Sequence, residues 1–182
     1  MKRLLVAGAL VLAGLVPAAA QQAADPQNTV YLDTKDGRIT IRLRPDLAPK
    51  HVEQIKTLTK QGFYDGVPFH RVIEGFMAQT GDPTGTGTGK SDLPNIPAEF
   101  TQTQFKRGSV GMARSQSPNS ANSQFFICYE GCGPLTGQYT LFGEVVSGMD
   151  VANKIKKGNA AANGMVQNPD KIVKMQLAAD AK

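Results

Sequence analysis

The stretch TGTGTGKS, Thr84 to Ser91, carries the residue types of a phosphate cradle. A phosphate-binding loop reads G-x-x-x-x-G-K-[ST], and this stretch ends in Gly89-Lys90-Ser91. Its opening position, which must be glycine, is Thr84. Such a loop also needs a helix leaving it, so that N-terminal N–H groups face the anion. Here the exit is SDLPNIPAEF, and Pro94 and Pro97 stand inside the required helix, at a cost of roughly 3 kcal/mol each. The stretch is expected to be a flexible Gly/Thr loop that binds no nucleotide. Acyl-transfer chemistry fares no better. In RGSVG, Ser109 directly follows Gly108, where a nucleophile elbow needs a spacer. Two cysteines, Cys128 and Cys132, and two distant histidines, His51 and His70, do not make a structural zinc spacing, so no metal or cofactor is expected.

A different constellation lies just before that loop, in FHRVIEGFMAQTGD. Arg71 stays charged and presents several N–H donors in a planar fork. Phe76, Met77 and Gln79 follow within one short segment. Neighbouring side chains of a strand alternate faces, so Phe76 and Met77 cannot both enter a core. One of two large apolar neighbours must face outward, which supports a binding groove.

The elements that position these residues are short. TVYLDT and RITIRL alternate apolar and polar residues around Lys35-Asp36-Gly37 and predict a β-hairpin. In PDLAPKHVEQIKTLTKQG, Val52, Ile55, Leu58 and Thr59 share one helical face, Pro49 suits the first turn, and Gly62 suits the end. The next helical pattern is GMDVANKIKKG. Between the two lie VPFHRVI, GFMAQTG, GSVGMAR, SQFFICY and YTLFGEVV, each too short for a helix and bounded by Gly, Pro, Asn or Ser. KGNAAANGMVQNPD is expected to be a loop and KIVKMQLA a last strand. Many short strands with two helices predict a mainly β fold, a closed barrel capped by the helices.

The chain of 182 residues opens MKRLLVAGALVLAGLVPAAAQQAADP. Lys2 and Arg3, the apolar run Leu4 to Val16 and the small residues Ala18 and Ala20 have the layout of a secretory signal peptide. The run is shorter than the roughly 20 residues a spanning helix needs. Residues 1–20 are therefore expected to be removed, leaving 21–182 as one domain in the periplasm or secreted, with no membrane attachment. Removal lowers the basic count from 20 to 18 against 15 acids, a net charge of +3. The cations are scattered, so nucleic acid is not indicated as a partner. In an oxidising compartment Cys128 and Cys132 could form a disulfide or remain two ordinary thiols, and the spacing leaves both open.

Three stretches stand out together: Phe69 to Lys90, GSVGMARSQSPNSANSQFFI (Gly108 to Ile127) and LTGQYTLFGEVVSGMDV (Leu135 to Val151). In order and approximate spacing they resemble the cyclophilins, the peptidyl-prolyl cis-trans isomerases, from Thr29 to about Leu177. The resemblance implies an eight-stranded antiparallel β-barrel with two capping α-helices, in a bacterial exported member of the family. It implies a monomer acting on proline-containing segments of folding exported proteins, with no cofactor. It also implies that the Gly-rich loop lies beside a substrate groove.

The resemblance carries Arg71 into the role of hydrogen-bond donor to the prolyl nitrogen. Gln79 would orient Arg71 and grip a substrate carbonyl. Phe76, Met77, Phe126 and Leu135 would form the apolar pocket for the proline ring, while His70, Ala113, Arg114 and Tyr139 complete the implied peptide contacts. There are departures. Arg114 stands where the family commonly has asparagine, Tyr139 where larger eukaryotic members have histidine, and Pro134 where they have tryptophan. None is the donor, so catalysis is expected to survive, while cyclosporin is expected to bind weakly. The alternative is a non-catalytic chaperone module that holds Pro-containing segments without turnover; retention of Arg71, Phe76, Gln79 and Phe126 favours the enzyme.

Overall fold

The computed structural model describes residues 25–182; the leader assigned to residues 1–20 lies outside them. Eight strands form one antiparallel sheet: β1 (Thr29–Thr34), β2 (Gly37–Leu43), β3 (Arg71–Ile73), β4 (Met77–Thr80), β5 (Ser109–Met112), β6 (Phe125–Cys128), β7 (Leu141–Ser147) and β8 (Lys174–Leu177). Their order across the sheet is β3-β4-β6-β5-β7-β2-β1-β8. Two α-helices, α1 (Pro49–Lys60) and α2 (Met149–Lys154), complete the fold.

Period-two alternation builds the interior. Val30, Leu32, Ile39, Ile41 and Leu43 on the first hairpin are all buried, and so are Val110, Phe125, Ile127 and Phe142. Val52, Ile55 and Leu58 of α1 and Val151 and Ala152 of α2 join the same cluster. Helix α1 ends as its sequence requires. Gly62 takes φ +68°, a conformation glycine adopts without steric cost, and the N–H of Phe63 returns to the Leu58 carbonyl at 3.0 Å. Its N-cap, Ala48, makes no side-chain cap. Glu99 replaces it from a distant loop, accepting from the N–H groups of Lys50 (3.2 Å) and His51 (3.1 Å) and sitting 2.6 Å from His51 Nδ1. The helix N-terminus favours such a carboxylate.

The expected closed barrel is not formed. The sheet curls but stays open, because β3 and β8 end the strand order without pairing with each other. The outer edge of β3 is already occupied. Val72 donates to the Gly164 carbonyl (2.8 Å) and accepts from the N–H of Gly158 (2.9 Å), so the 158–166 loop takes the place a closing strand would need. Across the gap, Phe69 donates to the Asp170 carbonyl (2.9 Å), Ile172 donates to the Val67 carbonyl (2.9 Å) and Pro68 makes an isolated bridge with Lys171, but these contacts precede β3 and β8 and do not pair the two strands.

Cys128 and Cys132 are joined in a disulfide, their Cα atoms 6.2 Å apart. It ties the end of β6 to the loop that carries Leu135 and Tyr139. Among the described residues, no helix is long and apolar enough to cross a membrane.

Candidate active site

Arg71 opens β3 and stands opposite Gln79 of β4 in the strand register. Such facing side chains are within contact range. Arg71 Nη1 donates to Gln79 Oε1 at 3.1 Å. Arg71 Nε donates to the Asn163 carbonyl at 3.0 Å, and Nη2 donates to Asn163 Oδ1 at 3.0 Å. All three acceptors are neutral. They fix the guanidinium without cancelling its charge, and leave two of its five N–H groups, one on each Nη, for another partner. Burial pushes the Arg71 guanidinium down from its usual value, and the Tyr139 phenol opposes this. An arginine nonetheless stays protonated at neutral pH.

Gln79 is itself oriented. Its Nε2 donates to Gln124 Oε1 at 2.9 Å, and Gln124 Nε2 donates to the carbonyls of Gly87 (3.0 Å) and Gly89 (2.8 Å). With the Gln124 nitrogen turned to the loop and the Gln79 nitrogen turned to Gln124, the Gln79 carbonyl faces Arg71.

The Gly-rich loop at the far end of this relay has its amides turned inward. The buried Asp82 carboxylate accepts from the N–H groups of Thr84 (2.7 Å), Gly87 (2.6 Å) and Gly89 (3.1 Å), and from the Thr84 hydroxyl (2.7 Å). Burial alone would raise this carboxyl, but these hydrogen bonds outweigh it and hold it below the usual carboxylate range. The donors that a phosphate would need are engaged by the protein's own anion.

Beside Arg71 lies a cavity of about 160 Å³ lined by Phe76, Met77, Gln79, Ala113, Arg114, Phe126, Leu135 and Tyr139. That is smaller than a drug-sized site of roughly 300 Å³ or more, and suits a single small ring. A second, larger hollow of about 440 Å³ continues from it past Lys90, Asn95 and Gln124, sharing Gln79, Ala113 and Arg114, so the two make one groove. Strand alternation sends Ala78 and Thr80 into the core, both fully buried, and leaves Met77 and Gln79 to the groove. Phe76 precedes the strand, in the turn from β3, and so reaches the groove as well. The pocket has its own apolar base of Met77, Phe105, Phe126, Leu141 and the two cysteines. Phe126 stacks on Phe105 (6.0 Å, 24°) and meets Tyr139 edge-on (5.9 Å, 83°). Gly111 makes room for this stack, since a Cβ there would lie 2.5 Å from the Phe126 ring and 2.7 Å from Phe105.

Nine of the ten site residues expected from the sequence line this cavity. The exception is His70. Its side chain is buried, at 2% exposure, and absent from the groove lining. It lies beneath the Gly-rich loop, where a Cβ on Gly87 would meet its ring at 3.7 Å. Because successive side chains of an extended chain point to opposite sides, Arg71 on the groove puts His70 inside. Burial first, and the neighbouring Arg71 charge, lower its affinity for a proton, against the opposing pull of Asp82 and of the nearby Pro68 main chain.

Two expected roles change in detail. The Ala113 N–H already donates to the Gln124 carbonyl (2.9 Å), so only the Ala113 carbonyl is left for an extended peptide. Arg114 spends its donors on the carbonyls of Gln138, Ser115 and Gln116, and lies over the Tyr139 ring at 4.6 Å. It props the pocket wall. Asn163, Gln124 and Asp82 were not identified from sequence. Asn163-Gly164 is a turn signal, but nothing in it points to Arg71.

Comparison with known proteins agrees with this geometry. The family model described as cyclophilin type peptidyl-prolyl cis-trans isomerase/CLD matches residues 29–177. A probable peptidyl-prolyl cis-trans isomerase of Brucella suis is 56% identical over 189 residues, covering 98% of this chain and 96% of the relative. A peptidyl-prolyl cis-trans isomerase of Helicobacter pylori is 40% identical over 136 residues, covering 70% and 80%. Among solved structures, a cyclophilin from Hirschia baltica superimposes with a TM-score of 0.76 at 29% identity, over 87% of this chain and 77% of that one. A cyclophilin-type isomerase of Cryptosporidium parvum, crystallised in the presence of the dipeptide Ala-Pro, gives 0.74 at 28% identity, over 82% and 98%. The chain belongs to the cyclophilin-type peptidyl-prolyl cis-trans isomerase family.

Proposed function

We propose that the Arg71 groove catalyses rotation about X-Pro bonds in proteins exported from a bacterial cytoplasm, and so assists their folding. The reaction makes and breaks no bond. The C–N bond of the peptide is partly double, and its rotation faces a barrier of about 20 kcal/mol. In the twisted state resonance is lost and the prolyl nitrogen gains a lone pair. A donor fixed near that nitrogen is stronger in the transition state than in the ground state, which is the condition for catalysis. Lowering the barrier by about 7 kcal/mol gives roughly five decades in rate.

The observation that carries the reading is the state of Arg71. Its guanidinium is held by three neutral acceptors and borders a cavity sized for one ring, with Phe76, Met77, Phe126 and Leu135 in its wall. A proline ring seated against Phe76, Met77, Phe126 and Leu135 would bring its nitrogen beside the two unassigned N–H groups. Preorganised charge of this kind costs no reorganisation at the moment of reaction. One such donor supplies about 3 to 4 kcal/mol. The rest falls to the apolar wall of the pocket and to the anchoring of the flanking chain along the groove.

Export is supported by Lys2, Arg3, the apolar run Leu4 to Val16 and the Ala18-Ala19-Ala20 site. A protease-coupled assay on a short X-Pro peptide tests the activity, with turnover expected. Binding of the peptide without turnover would replace the enzyme by a proline-peptide-binding module. Sequencing the N-terminus of protein recovered from the periplasm tests export, with Gln21 expected at the start; recovery from the cytoplasm with Met1 in place would overturn it.

A further inference from the structure

Asn163 lies in the loop between α2 and β8, 92 positions along the chain from Arg71. Its backbone takes φ +52°, the left-handed region, as it ends the short turn Ala160–Ala162. Asparagine tolerates that conformation better than most residues. The fold holds it there. The Asn163 N–H donates to the Ala160 carbonyl (3.2 Å), and the next residue, Gly164, accepts from the N–H of Val72 on β3 (2.8 Å).

In this conformation two oxygens of one residue meet the same guanidinium. The main-chain carbonyl takes Arg71 Nε and the side-chain Oδ1 takes Nη2, both at 3.0 Å. Gln79 holds the opposite corner through Nη1. The main-chain contact and Gln79 hold Nε and Nη1 but leave Nη2 without a partner, so that the guanidinium can swing about those two contacts. The Oδ1 contact fixes this third corner and leaves each Nη one N–H directed elsewhere.

We propose that Asn163 is a positioning residue for isomerisation: its side-chain carbonyl locks the Arg71 guanidinium in the orientation that donates to the prolyl nitrogen. The inference rests on the reading of Arg71 as donor. Because Asn163 is neutral, it locks the group without neutralising it. A residue in this role changes rate more than substrate affinity, since the ground-state peptide is held mainly by the apolar pocket.

The test uses Asn163→Gly in the whole protein. Glycine accepts φ +52° freely and keeps the main-chain carbonyl, so only the Oδ1 contact is removed. Asn168→Gly is the control, because Asn168 has φ +51° in the same loop, and no hydrogen bond from Arg71 reaches it. Asn163→Gly is expected to lower kcat roughly tenfold while KM changes less than about twofold. The Nη protons of Arg71 are expected to be distinct in nuclear magnetic resonance spectra of the wild type and of Asn168→Gly, and to merge in Asn163→Gly. The inference is overturned if Asn163→Gly keeps wild-type kcat, if it loses rate while the Nη signals stay distinct, or if Asn168→Gly loses as much. An Arg71→Ala variant that kept its rate would instead remove the underlying reading, so the two failures are distinguishable.

Discussion

Arg71 and Gln79 face each other across β3 and β4, and the Gln79 carbonyl accepts from Arg71 Nη1 at 3.1 Å. The acceptor is an amide, so it orients the guanidinium and leaves the positive charge to the groove. Gln79→Glu keeps the shape and the acceptor toward Arg71, but adds a negative charge and removes the Nε2 donor to Gln124. It is expected to hold the fold and to lower kcat by roughly tenfold or more, a larger effect than its effect on peptide affinity, because it weakens a charge that matters most in the twisted state. Steady-state kinetics on an X-Pro peptide check this; an unchanged kcat would count against the role of the free charge.

Asp82 organises the Gly-rich loop from within, accepting from three backbone N–H groups and the Thr84 hydroxyl. Asp82→Ala leaves those donors without their anion and loosens the carbonyls that orient Gln124. The variant is expected to lose about 3 kcal/mol in stability. Denaturant unfolding reads the loss, and a variant as stable as the wild type would contradict it.

Four buried or half-buried groups set the pH dependence of stability. Burial lowers His51 and His70 from the ordinary histidine value of 6.5. Burial would raise Glu99 and Asp82, but hydrogen bonds from His51 and Lys50 to the first, and from the Gly-rich loop to the second, bring both below their ordinary values of 4.5 and 3.8. Each group therefore binds a proton more readily in the unfolded chain. Stability is expected to be full above about pH 6.5 and to fall continuously on acidification through the carboxylate range. Unfolding midpoints measured from pH 8 to pH 4 check this; a midpoint that rose on acidification would contradict it.

The disulfide closes a loop of only four positions, so its effect on the unfolded chain is small, about 2 kcal/mol. Its local effect on the groove is larger in consequence. Cys132 begins the turn that carries Leu135, and both cysteines pack beneath Met77 and Phe126. Reduction, or the paired change Cys128→Ala and Cys132→Ala, is expected to raise KM more than it lowers kcat. Kinetics with and without reductant decide the matter, and a KM indifferent to reductant would oppose the clasp.

Much of this architecture is legible in the sequence. Period-two alternation locates the first hairpin and the last strand, short apolar segments bounded by turn residues locate the others, and Pro49 and Gly62 bound α1. The motif from Phe69 to Lys90 leads to Arg71, Phe76, Met77 and Gln79, and the two later stretches lead to the rest of the cavity. Closure of the barrel is not legible, because it depends on the 158–166 loop taking the edge of β3, and that loop has no periodicity to reveal its partner. Asn163 is missed for the same reason, since a contact 92 positions away leaves no local trace. His70 is misplaced by motif resemblance, although strand alternation beside Arg71 argues for the interior.

The most direct test of the account is the turnover of Arg71→Ala on an X-Pro peptide, with circular dichroism and peptide affinity measured on the same sample. Apolar burial at Phe76, Met77, Phe126 and Leu135 remains in the variant, so peptide binding is expected to persist. The twisted state loses a charge-assisted hydrogen bond worth about 3 to 4 kcal/mol, which predicts a fall of two to three decades in kcat/KM. Arg71→Lys is expected to recover little of it, because a point charge does not reproduce the planar fork. A folded Arg71→Ala protein that bound peptide and kept more than about half of its kcat/KM would contradict the account.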